Sequence, residues 1–549
     1  MNYISNKNKV LYDIVHGYIE IDKNIEQIIN DPLFQRLKDI KQQASYHLFP
    51  SANHTRFEHS LGVMKLAKDA FYQYANELEE AIVKDKSFRT HLERSMVNPN
   101  KPITKDNILR INTSRDREIY KQWLKFHLEY AALLHDIGHA PLSHIGEHFY
   151  EKEEIKEAIQ KIIDEKSVSE YNKINDETKI DLSTFEKGSP HEWMSCYIIL
   201  NKFYDYLNKI YDSIKTKDAN RFCYNKKTKL EVDFGFIIRI ITGNGYNTND
   251  IGNGIIQLVN NKTIDCDRLD YALRDNFMVG DIGAFVDTKR LFNSLTFDRE
   301  TFDIIFKKGA LSSLKNYIDC RDNLYMWVCN HHLIVYTDFL YQESLKQLFK
   351  TYPDEYKKED YFSCNAITND MPTDNEIHSL LRRHWNKLKN YNRNTEEQYF
   401  FNLLEQLFKR NQKLSSLYKT RKGYMDLLTE IKKGNDSEQT VNDKMDKIII
   451  NKRFLDNIKY NLNFDEGNFF ILKKANKDFM KNDIDSICIV DNEGNKNSLE
   501  TYISHKEHDE ITDITIFIYY KPSYSIEKQK EQKQIKKVIS NYIYGIQNK

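Results

Sequence analysis

The chain has 549 residues, and 81 Lys plus Arg are balanced by 81 Asp plus Glu. That length exceeds what a single core usually fills, and the charge balance removes any global field that would draw nucleic acid or anionic lipid to the surface. No apolar run reaches the ~18 residues of a membrane-spanning helix, and seven cysteines without a CxxC pair exclude a disulfide framework and a zinc knuckle.

The opening stretch MNYISNKNKVLYDIVHGYIEI has neither the apolar core of a signal peptide nor an Arg-rich amphipathic helix, so a cytoplasmic location is expected. Within it, VLYDIVHGYIEID reads as a short β element. Most of residues 22–420 follows a 3.6-residue apolar period, as in HSLGVMKLAKDAFYQYANELEEAI and LYMWVCNHHLIVYTDFLYQESLKQLF, and predicts a helical core. The segments 85–125 and 152–188 are charged and poor in that periodicity, which predicts surface insertions. TFDRETFDIIFKKG, at 296–309, predicts a second β element. Beyond about residue 450, NFFILKKA, DSICIVDNEGN and DITIFIYYKP predict strands, with DNEGN as a turn. The fold expected is therefore mainly α, with short β-hairpins: a domain over residues 1–420, then a helical linker and small α+β region over 421–549. The net basic tail, KPSYSIEKQKEQKQIKKVISNYIYGIQNK, predicts a solvated helix face or a frayed end.

Four stretches hold the unusual polar residues. HTRFEHSLGV supplies His54, Arg56 and His59; LLHDIGHAPLSHIGEHF supplies His135, Asp136, His139, His144 and Glu147; SPHEWMSCYII supplies His191; IDCDRLDYALRDN supplies Asp265, Asp267, Arg268, Asp270, Tyr271, Arg274 and Asp275. The apolar run Ala131–Leu134 drives His135 and Asp136 inward, and burying an uncompensated carboxylate is costly. A metal ion is the simplest compensation. Gly138 and Pro141 then break the helix, so His139 and His144 approach from a bend. A histidine, a His-Asp pair and a distant aspartate suit one divalent cation, Mn, Fe, Mg or Zn, with coordination positions left open. Beside several arginines, such a site suits cleavage of a phosphate ester or anhydride. For Asp265 and Arg274 a structural ion pair, and for His54, His331 and His332 packing or capping, stand as alternatives to a role in the site.

DPLFQRLKDIKQ, FPSANHTRFEHSLGV, LLHDIGHAPLSH, IDCDRLDYALRD and CRDNLYMWVCNHH occur in one order, and in this the chain resembles the HD superfamily of metal-dependent phosphohydrolases, in the style of its deoxynucleoside triphosphate triphosphohydrolases. The resemblance implies His59, His135, Asp136 and Asp267 as metal ligands. It implies His139 and His144 in the α-phosphate chemistry, His191 near the phosphates, and Glu147 as orienter of a catalytic imidazole. Arg56, Arg268 and Arg321 would hold the triphosphate, Gln42 would lie near the sugar, and Tyr271 and Asp275 would contact the ribose 3′-hydroxyl. The activity implied is hydrolysis of a deoxynucleoside triphosphate to deoxynucleoside and triphosphate. Another phosphohydrolase, acting on a different nucleotide or single-stranded nucleic acid, and a nucleotide sensor are the alternatives.

The chain departs from that pattern in places. Some relatives bind an activating nucleotide through positions matching Tyr12, Tyr18, Asn30, Gln35 and Lys38; here Asn30 replaces an acid and Lys38 an arginine, and lysine lacks the planar guanidinium fork. A guanine effector fits poorly, and a nucleotide effector of another kind stays open. Cys329 stands where relatives have a tyrosine, so base and sugar preference do not transfer. A homo-oligomer is expected, nucleic acid is not indicated by net charge, no membrane association is expected, and no sterile alpha motif is expected ahead of the HD region.

Overall fold

A computed structural model describes residues 8–95, 113–166, 180–214, 231–246, 249–369, 371–390, 392–409, 414–449, 469–475, 481–503, 514–522 and 528–545. The architecture is mainly helical with short hairpins. The first hairpin pairs Lys9–Asp13 with Gly17–Ile21 in antiparallel register. Its alternation buries Ile19 and Ile21 and leaves Val10, Tyr12 and Tyr18 exposed, and Gly17 supplies the positive φ of 71° that closes the turn.

The long helix Arg56–Lys84 forms the spine of the helical body. It begins at a Thr55/Glu58 capping box, which satisfies backbone donors that a helix end leaves open. Its apolar face packs most extensively on the helices Ser114–Leu134 and Cys266–Val279. Asp265 caps the latter, accepting from the Arg268 backbone N–H, and Gly280 ends it at a φ of 94°. The helix Pro190–Ile198 begins at a Ser189/Glu192 capping box with proline in its first turn. Leu311–Asn323 runs into a π-helical turn, Leu324–Cys329, before the helix His332–Thr351.

The charged segments are more structured than their composition predicts. Residues 114–125 begin the core helix Ser114–Leu134 and bury Tyr120, Trp123 and Leu124, with Trp123 stacked on Phe236 at 5.6 Å. The helix Lys152–Lys166 buries Ile155, Ile159 and Ile163, one residue per turn. Helix Lys86–Ser95 likewise buries Phe88 and Leu92, and residues 96–112 and 167–179 lie outside the described residues. The basic tail forms an amphipathic helix, Lys528–Ile543, with a solvated face: it buries Ile535 and Ile539 and packs on helices Arg421–Ile431 and Glu438–Ile449.

The later strands divide between two sheets. Leu295–Phe297 and Ile304–Lys307 form the second hairpin, and Cys488–Val490 joins it in parallel, with Phe306 opposite Ile489. Lys496–Ser498 extends this sheet across the turn that DNEGN predicts. Ile514–Tyr520 pairs with Phe469–Ala475 on one side and with Ser415–Ser416 on the other. Hydrogen bonds thus run directly from the C-terminal region into the helical body.

Candidate functional site

Three helix ends bring one cluster together. His59 lies in the first turn of Arg56–Lys84, His135 and Asp136 directly follow Ser114–Leu134, and Asp267 lies in the first turn of Cys266–Val279. His59 Nε2 is 3.0 Å from Asp267 Oδ1 and 3.6 Å from Asp136 Oδ2. His135 Nε2 is 3.6 Å from Asp136 Oδ1 and 3.8 Å from Asp267 Oδ1. Metal bonds of about 2.0–2.2 Å would space neighbouring ligand atoms about 3 to 3.5 Å apart, so these separations suit one small cation.

Hydrogen bonding fixes which imidazole nitrogens face the cluster. His135 Nδ1 donates to the Ala132 carbonyl at 2.8 Å, and His59 Nδ1 donates to Asp270 Oδ2 at 2.7 Å. Both Nε2 atoms are buried without a hydrogen-bond partner among the described residues, which leaves their lone pairs aimed into the cluster. Burial resists ionisation of Asp136, yet the charges of Arg56, His135 and His59 outweigh it and hold the carboxyl well below its ordinary range. Burial also disfavours a charged His59, but Asp267, Asp270 and Asp136 outweigh it and raise the imidazole to about 10, so without a cation a proton occupies the Nε2 position that a cation would take over. The concentrated negative charge and the orphaned nitrogens fit a divalent cation.

A second cluster adjoins the first. His139 and His191 stack with ring centres 4.0 Å apart, and their Nε2 atoms lie 3.7 and 3.8 Å from Asp136 Oδ1. His144 lies 5.3 Å from His139, ring to ring. Glu147 accepts from His191 Nδ1 at 2.7 Å and from His144 Nδ1 at 2.9 Å. Burial and the neighbouring Arg56, His191, His144 and His135 press His139 well below its ordinary value, so it is neutral. Burial opposes protonation of His191, but Glu147 outweighs it and raises the ring to about 9.

The loop that carries these histidines is strained and tightly held. Leu142 and Ser143 have φ of 62° and 54°, unfavourable for residues with a Cβ. Asp374 accepts from the Leu142 and Lys41 backbone N–H groups, Arg36 donates to the His139 carbonyl at 2.8 Å, and Arg56 donates twice to Ser143 Oγ. A Cβ on Gly138 would overlap the backbone of helix Pro190–Ile198; its absence lets the His191 helix close on the loop.

The expected substrate residues divide into two groups. Arg268 and Arg321 share surroundings with Tyr271 and Tyr317. Arg268 pairs with Asp265, Arg321 lies 5.8 Å from the Tyr325 ring, and Tyr271 is hydrogen-bonded with Tyr325. Arg56 instead pairs with Asp136 at 2.7 Å and is buried. Asp275 is engaged by His54 at 2.6 Å and by the Gln43 amide. Gln42 Oε1 is buried without a partner among the described residues, and Cys329 Sγ reaches Gln43 Oε1 at 3.5 Å.

Several expectations need correction. Asp265 and Arg274 do not pair: they stand nine positions apart, on opposite sides of the helix. Arg274 binds Asp270 and Asp13 instead. His54 is a partner of Asp275 rather than a packing group, whereas His331 caps the helix His332–Thr351 by accepting from the Leu333 N–H. In the expected effector region, Lys38 is bonded to Gln35 at 2.7 Å and lies over Phe57. Sequence reasoning missed Asp13, His16, Arg36, Gln43, Ser143 and Asp374. For Asp13 and His16, the available signal was an Asp-x-x-His-Gly turn inside an alternating stretch.

No family model matches the chain. It is 34% identical over 146 residues to the deoxynucleoside triphosphate triphosphohydrolase SAMHD1 of Bos taurus, covering 26% of this chain and 18% of that protein. It is 29% identical over 212 residues to the SAMHD1 homolog of Dictyostelium discoideum, covering 36% and 34% respectively. The chain thus spans about a fifth and about a third of the length of these curated relatives. A solved phosphohydrolase from Bacteroides thetaiotaomicron shares the fold at a TM-score of 0.52 and 17% identity, covering 94% of this chain and 100% of that one. In ordered motifs and in fold, the chain is similar to the HD-type phosphohydrolases, and its sequence likeness runs to those named deoxynucleoside triphosphate triphosphohydrolases.

Proposed function

We propose that the protein hydrolyses a deoxynucleoside triphosphate to deoxynucleoside and intact triphosphate. The observation that carries the reading is the shared carboxylate: Asp136 faces His59 through Oδ2, and His135, His139 and His191 through Oδ1. A cation-holding cluster and an acid-base cluster therefore meet at one point. His59, His135, Asp136 and Asp267 would hold a divalent cation, Mn, Fe, Mg or Zn, which when bound supplies Lewis acidity toward a phosphoryl oxygen.

The chain's own residues supply the rest. Neutral His139 carries an Nε2 lone pair with no hydrogen-bond partner among the described residues, suited to orient and deprotonate an attacking water. His144, held by Glu147 and otherwise half open to solvent, donates the proton to the departing nucleoside 5′-oxygen. A bond forms from water oxygen to the α-phosphorus, and the bond from α-phosphorus to the 5′-oxygen breaks. Charged His191, Arg268 and Arg321 absorb developing negative charge. Arg56 locks Asp136 and the strained loop rather than reaching outward. Tyr271 faces the sugar, with Asp275 fixed beside it by His54 and Gln43.

The reading includes a cytoplasmic location, a homo-oligomer, supported by the exposed apolar hairpin and the family likeness, and a nucleotide effector, supported by the family likeness alone. Among the described residues, no helix is long and apolar enough to cross a membrane. Incubation with each dNTP and a divalent metal, with and without a second nucleotide, followed by chromatography of the products, tests the proposal. Triphosphate among the products supports it; release of diphosphate, or no turnover with any of the metals, overturns it.

A further inference from the structure

We propose that His16 is a positioning residue for His59, acting through Asp270, so that the N-terminal hairpin orients a metal ligand it does not touch. The inference rests on the metal role proposed for His59. Asp270 is fully buried one turn beyond Asp267, and both of its oxygens are occupied. Oδ2 accepts from His59 Nδ1 at 2.7 Å and from Arg274 Nε at 2.8 Å; Oδ1 accepts from His16 Nε2 at 2.6 Å and from Arg274 Nη2 at 2.9 Å. Four donors saturate a carboxylate. Asp270 therefore has no lone pair left for a cation, and its role is to hold His59 with Nδ1 protonated and Nε2 free.

The hairpin turn grips this carboxylate from two directions. Asp13 Oδ1 accepts from the His16 and Val15 backbone N–H groups, which fixes the His16 side chain over Asp270. Asp13 Oδ2 accepts from Arg274 Nη1 at 2.8 Å, which fixes the guanidinium on the other side. Gly62, one turn after His59, leaves no space for a side chain, since a Cβ there would overlap Asp270 Oδ1 and the Arg274 guanidinium. Asp270 is thus confined by the spine helix, its own helix and the hairpin. Of the four donors it receives, only the one from His16 comes from outside the two helices that supply His59 and Asp267.

Metal binding by the full-length chain tests this without reference to turnover. Metal-free protein is titrated with Co2+, reading the visible ligand-field absorption, and Mn2+ affinity is measured by competition with a chelator. His16→Leu, which removes the donor, should weaken binding about 10- to 100-fold and alter the Co2+ spectrum. His16→Gln, which keeps an N–H donor, should stay within about threefold of wild type. A folded His16→Leu protein with wild-type affinity and spectrum overturns the inference. Should that variant fail to fold, His16→Ala, which also removes the donor, carries the test: at least fivefold weaker binding supports the inference, and unchanged binding overturns it. His59→Ala separates the two readings. If it retains metal, the site assignment falls; if it loses metal while His16→Leu does not, only the role of His16 falls.

Discussion

Glu147 binds the His191 ring through Nδ1 at 2.7 Å. Its second oxygen holds His144 at 2.9 Å, so one carboxylate sets the orientation of two imidazoles, one at the end of the strained loop and one on the helix Pro190–Ile198. Glu147→Gln keeps the length of the side chain but replaces an acceptor oxygen with a donor, and cannot accept from both rings. The expected outcome is a fall in kcat of about a hundredfold, with metal content unchanged. Steady-state kinetics alongside elemental analysis checks this, and equal loss of metal would place Glu147 in the wrong role.

Two substitutions nine positions apart should separate binding from turnover. His135→Ala removes an Nε2 that has no other partner among the described residues, and the purified protein should contain little metal. His144→Ala removes a group outside that cluster and should retain metal while losing about a hundredfold or more in rate. Should both lose metal to the same extent, the division between the two clusters is incorrect.

Gly62→Ala adds one methyl group where Asp270 and Arg274 already fill the space. Overpacking of this kind costs about 1–3 kcal/mol, and here it also displaces the partner of His59. Lower stability in urea together with weaker Co2+ binding is expected. Unchanged metal affinity would show that the ion pair can shift without moving the ligand.

His127 provides a pH-dependent test distant from the reacting groups. Its Nδ1 donates to the Trp123 carbonyl and its Nε2 accepts from the Asp233 N–H, each at 2.7 Å, so protonation would set two donors against each other. Burial pushes the ring down to about 3. Because the unfolded chain takes up this proton below about pH 6.5 and the folded chain does not, the stabilisation is complete above 6.5. It is lost as pH falls toward 3, at about 1.4 kcal/mol per unit. His127→Gln should be less stable than wild type at pH 7.5, with the gap narrowing toward pH 4.5. A gap that stays constant in urea titrations across that range would contradict this account.

The grouping of His59, His135, Asp136 and Asp267 was readable because each member sits at a helix end that carries its own punctuation. A Thr-x-x-Glu box precedes His59, a Gly and a Pro follow His135 and Asp136, and an aspartate cap precedes Asp267. The support behind the cluster was not readable in this way. His16 and Asp270 are 254 positions apart, and no local pattern announces that pairing. Composition misled where charge and burial alternate: Ile155, Ile159 and Ile163 form a buried stripe in a segment whose other residues are largely charged. The same holds for Trp123, which sits among lysines and a glutamine along the chain yet faces the core.

The parallel pairing of Phe306 with Ile489 bears on how the protein can be shortened. Ile304–Lys307 occupies an interior position of its sheet only because Cys488–Val490 covers its outer side. A chain truncated after the helical body would leave that strand as a bare edge, with its backbone groups free to recruit another molecule. Fragments ending before residue 488 are therefore expected to self-associate through this edge, and the C-terminal strands act as a cover against aggregation.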